Sequence, residues 1–228
     1  MKDLKWFSKI FYGFVSILTP LVILMISVRV LITPLFPRIE YRLPGFPEDP
    51  YGFTLEDRLR WSEPSINYLV NSEGIEYLRS LRFEDGDPIY NDRELSHMAD
   101  VKSVVTGMRI GLAVSVVILL IITFIFFKRG DKMLIVQAYN SGGWGVLGLM
   151  GAILIFVFIS FNQLFTWFHQ IFFESGTWQF YTSDTLIRLF PMRFWRDAFI
   201  YVGVLSAIFS VITIGITRKI GDFGKNET

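Results

Sequence analysis

Four long, predominantly apolar stretches, at about 7–32, 105–127, 145–167 and 198–217, constrain this 228-residue chain more than any other feature. A bilayer has a hydrocarbon core about 30 Å thick, which about 20 helical residues cross. Inside that core every backbone N–H and C=O must find its partner within the protein, so only helices or closed barrels are stable there. Barrel strands would be short and would alternate apolar with polar residues, and these stretches do neither. The sequence therefore predicts an all-α membrane protein with four transmembrane helices, organised over 1–228 as a single integral membrane domain. The first stretch is longer than the apolar part of a secretory signal, and no A-x-A-like cleavage site follows it. Arg29 near its outer end and Pro34 and Pro37 after it stand there instead, so it reads as an uncleaved anchor.

Basic residues beside the stretches set the expected orientation. Lys2, Lys5 and Lys9 stand at the N-terminal end of the first. Lys128, Arg129 and Lys132 occupy the turn "KRGDK", and Arg218, Lys219 and Lys225 follow the last. All three groups fall on one side, the expected cytoplasmic side, which places both termini in the cytoplasm. Segments 34–104 and 168–197 then face outward, the first carrying 14 acidic and 8 basic residues. The chain has no cysteine, which removes disulfides, thiol chemistry and thiolate metal sites. It has no basic stretch interleaved with aromatics and no glycine-rich phosphate loop, so nucleic acid and nucleotide are not expected partners.

The outer segments predict a small extracytoplasmic cap seated on the helices. Residues 34–49 are proline-rich and expected to be extended. Between 54 and 81, Leu55, Leu59, Ile66, Leu69, Val70, Ile75, Leu78 and Leu81 fit one or two amphipathic helices, with breaks near Pro64 and Gly74. "EDGDP" at 84–88 is a turn, and "RELSHMADVKSVV" reads as a helix running on into the second span. The segment 168–197 and its approach are crowded with rings, among them Trp167, Phe168, Phe172, Phe173, Trp178, Phe180, Tyr181, Phe190, Phe194 and Trp195. An interfacial aromatic belt accounts for some of them. The others fit the lining of an apolar cavity equally well.

Only two histidines occur, His97 and His169, and both fall on the expected outer side. On a helix, Glu94, His97 and Asp100 lie at i, i+3 and i+6, so either carboxylate can orient the imidazole. If the third span continues past Trp167, Asn162, Thr166, His169 and Phe173 form one stripe, and His169 sits level with His97. The plain alternatives are a solvated helix residue for His97 and an interfacial one for His169. A metal site built on both is disfavoured, because no close pairing such as H-x-x-x-H is present. Arg29 and Arg109 each lie just inside the outer end of a span. They either snorkel to headgroups or hold a lipid headgroup or ester carbonyl. Gly142, Gly143, Gly145, Gly148 and Gly151 allow close packing at the start of the third span.

"RELSHMADVKSVV" before a span, with "FHQIFF" and "DTLIRLFPMRFWRDAF" around the last outer segment, resembles the lipoprotein intramolecular transacylase family, small four-span enzymes of the bacterial cytoplasmic membrane. The resemblance covers nearly the whole chain, including both histidine motifs. It implies an acyltransferase whose substrate is a diacylated bacterial lipoprotein, with a diacylglyceryl group on the sulfur of its N-terminal cysteine. One acyl chain moves from the sn-2 ester to the free α-amine of the same molecule, giving a lyso-form lipoprotein. No cofactor, metal, nucleotide or external acyl donor is implied, and membrane lipid surrounds the site. His97 and His169 are the expected acid–base residues, His97 as base oriented by Asp100 and His169 protonating the leaving oxygen. Glu94, Asp100, Arg29, Arg109, Asn162, Trp178 and Trp195 are expected in support. Two competing functions are an N-acyltransferase drawing its chain from phospholipid in trans and a non-enzymatic membrane assembly factor.

Overall fold

The computed structural model describes residues 2–226, with side chains described over 6–222, so the side chains of Lys2, Lys5 and Lys225 lie outside the described residues. The helices are α1 (Lys2–Leu31), α2 (Leu35–Glu40), α3 (Leu55–Val70), α4 (Glu76–Arg79), α5 (Asp92–Lys128), α6 (Lys132–Phe172), α7 (Thr185–Leu189) and α8 (Met192–Asn226). Four of them are long and apolar enough to cross a membrane: Trp6–Leu31, Asp92–Lys128, Lys132–Phe172 and Met192–Asp222. Their outward faces are apolar. Leu120 is 64% exposed, Phe158 76% and Ile159 74%, which suits a lipid surround and would be costly in water.

The chain divides into two compact units. The first comprises Met1–Val28, Arg109–Ile155 and Tyr201–Thr228. Phe11, Val15, Leu119, Phe126 and Ala138 form one of its cores, with the Phe11 and Phe126 rings stacked at 3.7 Å. Lipid tails are as apolar as leucine, so polar contacts and close approach hold such helices together. Ser206 donates to Ser27 at 3.0 Å, Ser210 to the Gly143 carbonyl at 2.5 Å, and the Asn140 amide to Thr217 at 3.1 Å. A Cβ at Gly142 would lie 2.7 Å from Thr19, and one at Gly143 2.7 Å from Ile214. The packing role therefore belongs to these two glycines. Gly148 and Gly151 have open space where a side chain would go.

The second unit comprises Arg29–Met108 and Phe156–Ile200, and its core includes Tyr41, Trp61, Ile66, Tyr68, Leu78, Leu95, Leu189 and Phe194. The expected turn at 84–88 is present, with Gly86 at φ 92° and the Phe83 amide bonded to the Asp87 carbonyl. Two local expectations are corrected. Residues 34–49 are not extended throughout, because α2 forms with Pro34 at its N-cap and Pro37 in its first turn, where no N–H is required. α3 does not break at Pro64. Its start is secured by a reciprocal cap between Thr54 and Asp57, and burial of Trp61, Ile66 and Tyr68 outweighs one lost backbone bond. The break near Gly74 does occur, between α3 and α4.

Charge fixes the loops of this unit. Arg188 is bonded to Asp49 at 2.9 Å, and Arg58 donates to the carbonyls of Pro47 at 2.6 Å and Arg188 at 3.2 Å. Glu40, at the end of α2, is fully buried, and neither oxygen meets a donor. As carboxylates, Glu40 and its neighbour Asp197 have no hydrogen between them, whereas a proton on Glu40 supplies one. Burial, that shared hydrogen and the Asp197 charge push the Glu40 carboxyl up to about 7, against the opposing charges of Arg193 and Arg196.

Candidate active site

The start of α5 positions the first histidine. Asn91 and Glu94 cap the helix reciprocally. The Asn91 amide donates to Glu94 Oε2 at 2.8 Å and the Glu94 amide to Asn91 Oδ1 at 3.0 Å. The other Glu94 oxygen accepts the Leu186 amide of α7 at 2.7 Å. Glu94 is thus a buried staple between α5 and α7. One turn on, His97 is 8% exposed.

α6 carries the second histidine, because the helix continues past the apolar stretch to Phe172. His169 is also 8% exposed. Its ring meets that of His97 nearly parallel, 6.3 Å between centroids and 19° between planes. Rings enclose the pair. Phe173 touches both, at 4.9 Å from His97 and 5.6 Å from His169. Phe180 covers His97 at 5.3 Å, while Phe165 and Trp178 cover His169 at 4.0 and 4.8 Å. Of the aromatics named from the sequence, Phe173, Trp178 and Phe180 surround the imidazoles, and Phe165 of α6 joins them.

The two imidazoles are bonded differently. His169 Nδ1 lies 2.8 Å from the Phe165 carbonyl, which can only accept, so Nδ1 carries the hydrogen and Nε2 presents its lone pair. That carbonyl also stabilises a positive charge on the ring. His97 Nδ1 is buried with no partner, and so is the Trp178 indole nitrogen. A buried polar group left unpaired costs about 1–3 kcal/mol. Two such groups lie in one aromatic enclosure.

The other expected site residues are placed as follows. Asp100 is exposed and makes no hydrogen bond to His97, and Glu94 is committed to backbone amides, so neither carboxylate orients the imidazole. Arg29 donates to the Ile32 carbonyl at 3.2 Å, closing the end of α1. Arg109 falls in the first unit. The Trp195 ring lies 6.2 Å from that of Phe165. Asn162 is exposed and lines a cavity of about 630 Å³ with Arg196, where α6 departs from helical geometry at Ser160 (φ −157°, ψ 73°). No sequence signal marks that break. Phe165 was findable, since Phe165, His169 and Phe173 recur every four residues. Among the described residues no three His, Cys, Asp or Glu side chains converge as a metal-ligand set.

Comparison with known proteins bears on the family and the fold. A family model described as "Lipoprotein intramolecular transacylase Lit" matches residues 13–195. An uncharacterised protein of Aquifex aeolicus (strain VF5) is 31% identical over 206 residues, covering 89% of this chain and 92% of that protein. The in meso structure of the membrane integral lipoprotein intramolecular transacylase Lit from Bacillus cereus superposes with a TM-score of 0.82 at 17% identity, over 97% of this chain and 99% of that one. A structure of the same protein with one histidine replaced by arginine gives 0.79 at 16% identity, over 100% and 99%. The likeness shows the same fold, a multi-pass integral membrane protein with four spans. With its family model matched from the first span through both histidine motifs, this chain belongs to the lipoprotein intramolecular transacylase Lit family.

Proposed function

We propose that this protein transfers one acyl chain from the sn-2 ester of an S-diacylglyceryl N-terminal cysteine to the free α-amine of the same lipoprotein. The observation that carries the reading is the pair of buried, near-parallel imidazoles at 6.3 Å, enclosed by rings, with a lone pair on His169 Nε2 and an unpaired nitrogen on His97. The reaction needs a neutral amine, an acceptor for its proton, and a donor for the departing glyceryl oxygen. Attack of the nitrogen forms a C–N bond and a tetrahedral oxyanion. His169 Nε2 takes the proton from nitrogen, and the Phe165 carbonyl supports the imidazolium. Collapse breaks the C–O bond to glycerol, and the same proton passes to that oxygen. His97 stays neutral and accepts a hydrogen bond from the amine, aiming the nitrogen lone pair at the carbonyl. This assignment moves the base role from His97 to His169 and leaves His169 its expected role as the acid, because Asp100 does not reach His97. Holding both reactants in one molecule supplies much of the rate, and the surrounding rings exclude water.

The site faces the outer side of the bacterial cytoplasmic membrane, where a lipoprotein acyl chain stays in lipid while its ester reaches polar groups. Purified protein incubated with a synthetic diacylglyceryl lipopeptide, in detergent free of phospholipid, tests the reading. Substrate and product have the same mass, so the readout is loss of amine reactivity together with tandem fragmentation. Conversion without phospholipid supports the intramolecular route. Conversion only when phospholipid is added points to transfer in trans, and no conversion in either case rejects an acyltransferase.

A further inference from the structure

We propose that the indole N–H of Trp178 is the donor that binds the oxygen of the tetrahedral intermediate. The inference rests on the acyl transfer proposed above and adds to it the group that stabilises the developing negative charge. Trp178 Nε1 is buried and has no hydrogen-bond partner among the described residues. Its ring lies 4.8 Å from His169, beside the imidazole that exchanges the proton. Several neighbouring donors are engaged elsewhere. Arg93 is held by Asp184 at 3.1 Å, the Asn91 amide and the Leu186 amide are taken by Glu94, and the Asn91 side-chain amide donates to Asp184 at 3.2 Å. The backbone amides flanking His97 and His169 lie within α5 and α6, where the helices use them.

Trp178 also stands on an irregular segment between α6 and α7, where Gly176 has φ 89°. The step balances without a further reactant. Nitrogen attack moves the C=O electron pair onto oxygen, the indole N–H donates a hydrogen bond to that oxygen and keeps its proton, and collapse restores the carbonyl as the glyceryl C–O bond breaks. In an enclosure that excludes water, a donor aimed at the oxyanion lowers the barrier more than the same bond would in bulk solvent.

The test replaces Trp178 with 3-benzothienylalanine, which keeps the bicyclic shape and puts sulfur in place of the N–H. Turnover should fall about 100-fold, while KM for the diacylglyceryl lipopeptide and the melting temperature in detergent stay near those of the wild type. 5-Fluorotryptophan at the same position retains the donor and should retain the rate. If the benzothienylalanine protein turns over as fast as the wild type, the donor assignment falls and the acyl transfer stands. If the wild-type protein leaves the lipopeptide unchanged, both fall. Loss of turnover in the 5-fluorotryptophan protein as well would overturn the donor role in favour of packing alone.

Discussion

His97 and His169 have the same exposure and opposite bonding, and in the proposed reaction that difference sets their roles. His169 is anchored by the Phe165 carbonyl, whereas His97 holds nothing through Nδ1. His169→Gln keeps a hydrogen-bonding side chain but cannot take up a proton, so transfer should fall about 10²–10⁴-fold, the range for losing a general acid–base group. His97→Gln still accepts a hydrogen bond through its amide oxygen and should lose less. The double variant should be little slower than His169→Gln, because groups acting as a unit are not additive. Initial rates on the lipopeptide at matched protein yield check this. A His169→Gln protein at wild-type rate removes the acid–base assignment. Asp100→Asn should leave the rate unchanged, since that side chain is exposed and does not touch His97.

At the scale of elements, two buried carboxylates tie short helices to long ones. Glu94 accepts two backbone amides, one from the turn before α5 and one from α7. Glu94→Ala should lower stability by about 2–4 kcal/mol, combining a lost N-cap with an orphaned buried amide. Glu94→Gln should fall between, because its amide keeps one acceptor. Thermal unfolding in detergent reads both, and an unchanged melting temperature for Glu94→Ala would show the staple to be dispensable. Glu40 acts in the other direction. Its carboxyl is pushed up to about 7 in the folded protein, well above an exposed glutamate. Between those values the folded state binds the proton and the unfolded state has released it. This contribution to stability is therefore full at low pH and is lost as pH rises through about 7. Relative to the wild type, Glu40→Gln should gain stability as pH rises from 5 to 8. A difference in melting temperature that does not vary with pH would remove Glu40 as the titrating group.

At the scale of the whole molecule, the family and the fold are those of a four-span integral membrane protein, and the orientation proposed for it follows from the basic residues at the span ends. The chain has no cysteine, so introduced ones can be read without background. Asp87→Cys, in the exposed turn of the second unit, should react with a membrane-impermeant maleimide in intact cells. Asp222→Cys, exposed near the end of α8, should react only after permeabilisation. The reverse pattern would turn the protein over and put both histidines in the cytoplasm.

The four spans, the helix through "RELSHMADVKSVV" and the turn at 84–88 were legible because each follows from local physics: apolar length against bilayer thickness, helical period, and turn chemistry. Local rules failed at Pro37 and Pro64, where an N–H is either unneeded or outweighed by burial. They also said nothing of the Ser160 break. The two histidines stand far apart in the chain, and only tertiary packing decides that their rings face each other at 6.3 Å. The same holds for the partners of the carboxylates. Spacing on α5 allowed Glu94 or Asp100 to meet His97, but the Leu186 amide arrives from a distant helix and takes Glu94, while Asp100 points to the surface. Helical spacing specifies which neighbours are within reach along one element. Which of them is chosen depends on the donors that the other elements bring, and those are absent until the chain has folded.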